Sequence, residues 1–259
     1  MGVRKLFDLL EPSKATLPEY VVVDAMTEIY KSLYANTITD SDGRPTGHIN
    51  TILMRVINML SAKCKVEFVF DGRPNPHKAK EIERRNKTRA PMPKHVVDDI
   101  KFVLRCLGVT YYITDGYDAE QLCAKLSDIV MTSDSDTFLY GAKYIIKYNS
   151  GKLYEYSIDD LGLTSEQLIM LGICLGTDYS AKIKGVGIKT ALDKCRKITF
   201  DSLSDEQKIA HGIFTSELRD IPPAIRSEPD YDALLKWLEE RSFNIERIRK
   251  LLAKIPVPE

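Results

Sequence analysis

The chain has 259 residues, enough for one sizeable core or a core with a smaller lobe. Its 44% hydrophobic and 29% charged residues suit a globular protein, and no apolar run reaches the ~18 residues of a membrane span. A formal net charge of zero argues against nucleic-acid binding by bulk charge alone, and five cysteines without a CxxC pair argue against structural zinc.

The N-terminal MGVRKLFDLL is too short and too acidic for a signal peptide, and Leu6 breaks the myristoylation pattern. The cysteines read as small buried residues in a reducing compartment, so the expected location is intracellular. Val21–Val23 is a β-branched run ending in Asp24. Thr46–Lys63 places Ile49, Ile52, Leu53, Val56, Ile57 and Leu60 on one stripe, predicting a helix capped by Thr46. Val66–Phe70 predicts a strand that ends at Asp71-Gly72. Lys94–Leu107 repeats the helical pattern with Val97, Ile100, Val103, Leu104 and Leu107, and stops at Gly108. Val109–Ile113 predicts another strand, and Asp118-Ala119-Glu120 opens a helix that Asp118 could cap. Ile129–Thr132 leads into Asp134-Ser135-Asp136, and Tyr144–Lys147 with Leu153–Tyr156 flank Ser150-Gly151 as a hairpin or sheet edge. After Gly162 the chain turns helical, with Thr164 and Gln167 as a capping box and Asp178 at the end of the helix. Pro222-Pro223 falls in a surface loop, and Tyr231–Ile255 reads as two helices broken near Ser242-Phe243-Asn244.

Alternating strands and helices predict an α/β fold, with a parallel sheet carrying helices on both faces and a helical C-terminal region. The expected division is residues 1–160 and 161–259. In such a fold ligands bind beyond the carboxyl ends of the strands, where Asp24, Asp71 and Asp134 are predicted to fall. Each of these acids alone reads equally well as a helix cap or a turn. Several at one edge repel one another and stay ionised only around cations, so together they predict bound divalent metal. Two basic stretches, Lys78–Arg105 and Lys182–Lys197, flank the acids and suit a polyanion. Lys87, Arg89 and Lys94 in the first are expected to touch phosphate. Asp134-Ser135-Asp136 lies mid-chain, unlike the D-x-D of HAD-type phosphatases, and it lacks the Gly and Glu of an EF-hand. Gly185-Val186-Gly187-Ile188-Lys189-Thr190 is not a phosphate loop, because Ile188 separates Gly187 from Lys189. It reads as a glycine turn between two helices, whose N–H groups with Lys184 and Lys189 would grip a phosphodiester backbone.

The ordered blocks MGVRKLFDLL, VVVDAMTEIY, VFDGRPNPHKAKEIERR, DAEQLCAKL, TSDSDTFLYG, LGICLGTDYSAKIKGVGIKTAL and ERIRKLL cover nearly the whole chain. In these the chain resembles the flap endonuclease (XPG/Rad2) family of structure-specific 5′ nucleases, with its PIN-like core. The resemblance implies that Asp24, Asp71, Asp118, Glu120, Asp134, Asp136 and Asp178 hold two Mg²⁺ ions, with Mn²⁺ able to substitute. Lys78 and Arg85 match the family's basic pair, which would polarise the scissile phosphate. Tyr30 matches a base-stacking aromatic and Gly2 an N-terminal glycine near the site. Residues 165–197, with Lys184, Gly185, Gly187, Lys189 and Thr190, match a helix–two-turn–helix element that binds duplex DNA, often with K⁺. The implied function is 5′-flap endonuclease and 5′-3′ exonuclease activity in DNA replication, repair or recombination, in the nucleus or another site of replication, by a monomer.

The chain departs from the family at two points. The first acid of the Asp118/Glu120 pair is usually Glu. The long capped arch is replaced by a short segment within 78–107, since only Asn86–His95 separates Arg85 from the next helix. Exonuclease or gap cutting is then expected to gain weight. No sliding-clamp peptide is recognisable, so clamp binding is not expected. The alternatives are a PIN-like ribonuclease and a non-catalytic branched-DNA-binding protein on the same fold.

Overall fold

The computed structural model describes residues 2–3, 5–35, 38–87 and 92–256, leaving the side chains of Tyr34, Ala35, Lys80, Arg85 and Asn86 undescribed. In chain order its strands are β1 (Ser13–Lys14), β2 (Tyr20–Asp24), β3 (Lys65–Arg73), β4 (Tyr111–Asp115), β5 (Ile129–Met131), β6 (Tyr144–Asn149) and β7 (Lys152–Ser157). The helices are α1 (Ala25–Ala35), α2 (Gly47–Ser61), α3 (Ala79–Asn86), α4 (Lys94–Cys106), α5 (Ala119–Leu126) and α6 (Asp136–Leu139). They continue with α7 (Ser165–Leu175), α8 (Ile188–Cys195), α9 (Asp205–Thr215), α10 (Tyr231–Glu239) and α11 (Ile245–Leu252). No helix among the described residues is long and apolar enough to cross a membrane. The chain folds as two compact units, one of residues 1–16, 71–90 and 114–221, the other of residues 17–70, 91–113 and 222–259. Both draw on segments from either side of residue 160.

In the first unit the strand order is β1–β7–β6–β5. The β5/β6 pair is parallel, but β6/β7 and β1/β7 are antiparallel. The hairpin expected at Ser150-Gly151 thus forms and adds antiparallel strands to the predicted parallel sheet. The cause is local: Ser150 and Gly151 take φ of 48° and 77°, the two positive values of a type I′ turn, so β7 folds straight back on β6. The unit's core gathers Leu6, Phe138, Ile145, the apolar face of α7, and Ala191, Ala210 and Phe214 from α8 and α9. The Thr164/Gln167 capping box forms as expected, and a second, Ser204/Gln207, starts α9.

In the second unit β2 and β3 pair in parallel and β4 lies beside β3. Helices α1, α2 and α4 pack together, and α10 packs on α4 through Phe102 and Trp237, whose ring centroids are 4.8 Å apart. Two details differ from the sequence pattern. Thr46 precedes α2 but makes no side-chain cap; its hydroxyl instead donates to the Ile38 carbonyl at 3.4 Å. The buried stripes include Met59 rather than Leu60 and Val96 rather than Val97, because a 3.6-residue period lets adjacent residues share the edge of a stripe. Pro222-Pro223 precedes an antiparallel bridge in which Ile225 and Tyr111 exchange backbone hydrogen bonds of 2.8 and 3.1 Å. The break between α10 and α11 falls at residues 240–244, with Asn244 capping α11.

Candidate active site

Six of the seven predicted acids belong to the first unit. Asp71 stands in β3 just past its buried run, and its Oδ1 accepts the Ala119 N–H at 3.1 Å. The first turn of α5 is therefore capped from β3. Asp118, at the expected cap position, makes no cap. Its Oδ2 accepts Tyr140 Oη at 3.0 Å and Tyr179 Oη, and pairs with Lys78 Nζ at 2.8 Å. Glu120 is buried in the first turn of α5.

The Asp134-Ser135-Asp136 loop is locked by its own hydrogen bonds. Thr132 Oγ1 accepts the Asp134 N–H at 3.0 Å, and Asp134 Oδ1 accepts the Asp136 N–H at 3.1 Å. Ser135 donates to the Val3 carbonyl at 3.1 Å, which brings the N-terminal segment against the loop. Gly2, at φ 82°, lies so near that a Cβ would stand 2.1 Å from Asp134 Oδ1. Only glycine tolerates that backbone at that distance. Asp178 follows α7 by three residues, in a loop where Thr177 Oγ1 accepts the N–H groups of Tyr179 and Ser180 at 3.1 and 3.2 Å.

Lys78 ends a 3-10 turn (Pro76–Lys78) whose Asn75 side chain accepts the His77 N–H at 3.0 Å. Its Nζ lies 3.4 Å from Asp178 Oδ2 and 5.3 Å from the Tyr179 ring centroid. Burial works against the ammonium charge, yet Glu120, Asp118 and Asp178 hold its pKa well above the usual lysine range. Burial pushes Asp136 well above the carboxylate range, with the charges of Asp134 and Asp178 adding to the rise and Lys78 opposing it. Burial raises Asp134 and Asp71 too, with Lys78 lowering both.

The remaining predicted residues are placed as follows. Arg85 lies on α3, with its side chain outside the described residues, as is Arg89. Lys87 pairs with Glu83 at 2.8 Å on the surface, and Lys94 is exposed. In the second unit, Asp24 is buried at the end of β2, where its Oδ1 accepts the Thr27 N–H at 3.2 Å, and half-buried Tyr30 stands on α1. In the first unit, residues 176–187 link α7 to α8. Gly185 takes φ 76°, and the Thr190 hydroxyl accepts the Gly187 N–H and donates to its carbonyl, both at 2.9 Å. Lys184 and Lys189 are exposed there. A cleft of about 560 Å³ beside the link is lined by Lys182, Lys184, Lys194 and Lys197. Tyr140 and Tyr179 were not predicted. Each is a lone tyrosine near an acid, at positions four past Asp136 and one past Asp178, and carries no spacing signal of its own.

Among the described residues no group of three or more His, Cys, Asp or Glu side chains is arranged to hold a metal ion. A cation nevertheless suits the set. The donors are all carboxylate oxygens, the chemistry of a hard divalent ion. Asp136 Oδ1 is buried with no hydrogen-bond partner. Buried acids elsewhere are paired: Glu28 with Lys31 and Arg55, Glu67 with Tyr20 and Lys65.

Residues 1–92 match the family model of the XPG N-terminal domain and residues 109–178 that of the XPG I-region, together more than half of the chain. Flap endonuclease 1 of Ignicoccus hospitalis is 28% identical over 329 residues, covering 98% of this chain and 94% of the relative. That of Xiphophorus maculatus is 29% identical, covering 88% and 77%. The first alignment is longer than this chain, so the relative carries segments that this chain lacks. Among solved structures, flap endonuclease-1 from Methanococcus jannaschii superposes with a TM-score of 0.77 at 22% identity, covering 98% of each chain. The catalytic core of Rad2 in complex with DNA substrate gives 0.73 at 23% identity, covering 99% of this chain and 100% of that one.

Proposed function

This chain belongs to the XPG/flap endonuclease family and is a structure-specific 5′ nuclease acting on DNA flaps, and we propose that its buried acids hold two Mg²⁺ ions for phosphodiester hydrolysis. The observation that carries this reading is the Lys78 ammonium standing among acids with Asp136 Oδ1 left unpartnered. Asp71, Glu120, Asp134, Asp136 and Asp178 would hold the ions. The family resemblance adds Asp24, and gives Asp118 a contact to them directly or through water. Such ions, when bound, acidify water and neutralise charge on the attacked phosphate, and Mn²⁺ serves in place of Mg²⁺.

The chain's own groups supply the rest. Lys78, with Arg85 by resemblance, faces the phosphate and offsets the charge that builds on it. Water's oxygen bonds to phosphorus as the bond to the 3′ oxygen breaks. The 3′ oxygen takes a proton, leaving a 3′-hydroxyl and a 5′-phosphate. By the same resemblance, Tyr30 would stack on the base beside the cut. Lys184, Lys189 and the N–H groups around Gly185 and Gly187 grip the duplex backbone, with Thr190 holding Gly187 in place; by resemblance this turn would also take K⁺. Seven residues between α3 and α4 are too few for a long arch over the 5′ strand, so exonucleolytic and gap cutting gain weight.

The test maps cut positions on flap, nicked, gapped and blocked-end DNA with Mg²⁺. The expected result is cutting at the flap junction, lost with EDTA and in Asp136→Ala. Binding of branched DNA without cutting under Mg²⁺ or Mn²⁺ would overturn the reading.

A further inference from the structure

Three donors converge on one oxygen. Asp118 Oδ2 receives Tyr140 Oη at 3.0 Å, Tyr179 Oη, and Lys78 Nζ at 2.8 Å. A carboxylate oxygen offers about two lone-pair directions, so three donors leave it none for a cation. A phenol with its ordinary pKa of about 10 is protonated at neutral pH, and a carboxylate can only accept, so both hydroxyls act as donors to Asp118.

The tyrosines are themselves braced. Phe214 on α9 packs against both rings, with centroids 4.9 Å from Tyr140 and 5.7 Å from Tyr179, and the two hydroxyls are 3.4 Å apart. The Tyr179 ring also faces the Lys78 ammonium at 5.3 Å. Lys78 thus has a fixed carboxylate on one side and an aromatic face on another. Asp118 is one methylene shorter than the Glu that the family pattern leads one to expect.

We propose that Tyr140 and Tyr179 are positioning residues that turn Asp118 toward Lys78, so that Asp118 anchors the catalytic ammonium and its Oδ2 stays out of the inner shell of the divalent ions. The inference rests on the nuclease reading and refines it. It assigns Asp118 Oδ2 an electrostatic role beside Lys78 in place of a ligand role.

The test compares wild-type protein with the Tyr140→Phe/Tyr179→Phe double variant, each also carrying Asp118→Asn. Mn²⁺ binding is titrated without DNA by electron paramagnetic resonance, and flap cleavage is measured separately as kcat and KM. The expected result is that the double variant binds Mn²⁺ no more weakly than wild type, while its kcat falls about tenfold with KM unchanged. In the Asp118→Asn background the tyrosine changes should cost nothing further. If the phenols orient a metal ligand, their loss weakens Mn²⁺ binding about tenfold or more, as with other residues that support a ligand, and the proposal fails. Losses that add in the two backgrounds overturn it as well. Phenylalanine keeps both rings against Phe214, and Tyr140→Phe alone gives the same readouts should the double variant be unstable. The Mn²⁺ titration needs no cleavage, so failure of the proposal is distinct from failure of the nuclease reading.

Discussion

Asp71 caps a helix that begins 48 residues after it: its Oδ1 accepts the Ala119 N–H at 3.1 Å. One carboxylate therefore holds the N-terminus of α5 and also faces the cluster of Asp118, Asp134 and Lys78. The two duties separate by substitution. Asp71→Asn keeps an acceptor for the Ala119 N–H, so its metal-free form should melt at or above the wild-type temperature. Asp71→Ala loses the cap and should be about 1 kcal/mol less stable than the Asn variant. Both should lose cleavage. Equal melting temperatures for the two variants would show that the cap carries no weight.

Asp136 makes metal-free stability depend on pH. Its folded-state pKa lies well above the ordinary value, with burial first among the causes, so the fold favours the protonated acid. That contribution is fully present below the unfolded pKa and is lost as pH rises through the raised folded value. Asp136→Asn cannot ionise. Without metal at neutral pH it should be more stable than wild type by about 1–3 kcal/mol, and the gap should close on acidification toward the ordinary carboxylate range. Added Mg²⁺ should stabilise wild type and reduce or reverse the order. Thermal melts at two pH values, with and without Mg²⁺, check the sign. An Asn variant that melts lower throughout would contradict it.

Gly2 permits close approach to the Asp134-Ser135-Asp136 loop. Gly2→Ala would put a Cβ 2.1 Å from Asp134 Oδ1 and 2.8 Å from the Asp136 backbone nitrogen, on a backbone with φ 82°. The N-terminal segment must then lift off the loop. A large loss of kcat is expected, on the order of 100-fold for a displacement of about 1 Å, with little change in duplex affinity. Steady-state kinetics beside a DNA-binding isotherm would separate the two. Wild-type kcat in this variant would rule out the close packing.

Lys184 and Lys189 offer charge without base readout, so their effect should be independent of sequence. The Lys184→Ala/Lys189→Ala variant should bind branched DNA more weakly on every sequence tested. The slope of log K against log salt should flatten by about 2, one for each ammonium no longer neutralising a phosphate. An unchanged slope would place the duplex elsewhere.

Much of this was written locally in the chain. The strand ends that carry Asp24 and Asp71 follow from β-branched runs, and the β6/β7 hairpin follows from Ser150-Gly151. Long-range choices were not written there. Thr46 and Asp118 sit where a cap is expected, yet the first donates to Ile38 and the second is drawn to Tyr140, Tyr179 and Lys78. A cap residue satisfies whichever donor or acceptor is nearest, and tertiary structure can supply a better one than the adjacent helix. The acids of the site were legible because charge is conspicuous in an apolar context. The tyrosines were not, since a phenol is equally at home in a core.

Lys78 stands 3.4 Å from Asp178 Oδ2, a carboxylate that added divalent cations would also seek. On the two-ion reading the polypeptide thereby competes with its own activator. An enzyme stripped by a chelator keeps a tethered positive group to quiet its acids, and should regain activity on simple replenishment, without refolding. On the two-ion reading the same tether should raise the concentration of ion needed to switch the enzyme on, so order at rest and avidity for metal would trade against each other through the Lys78 amine.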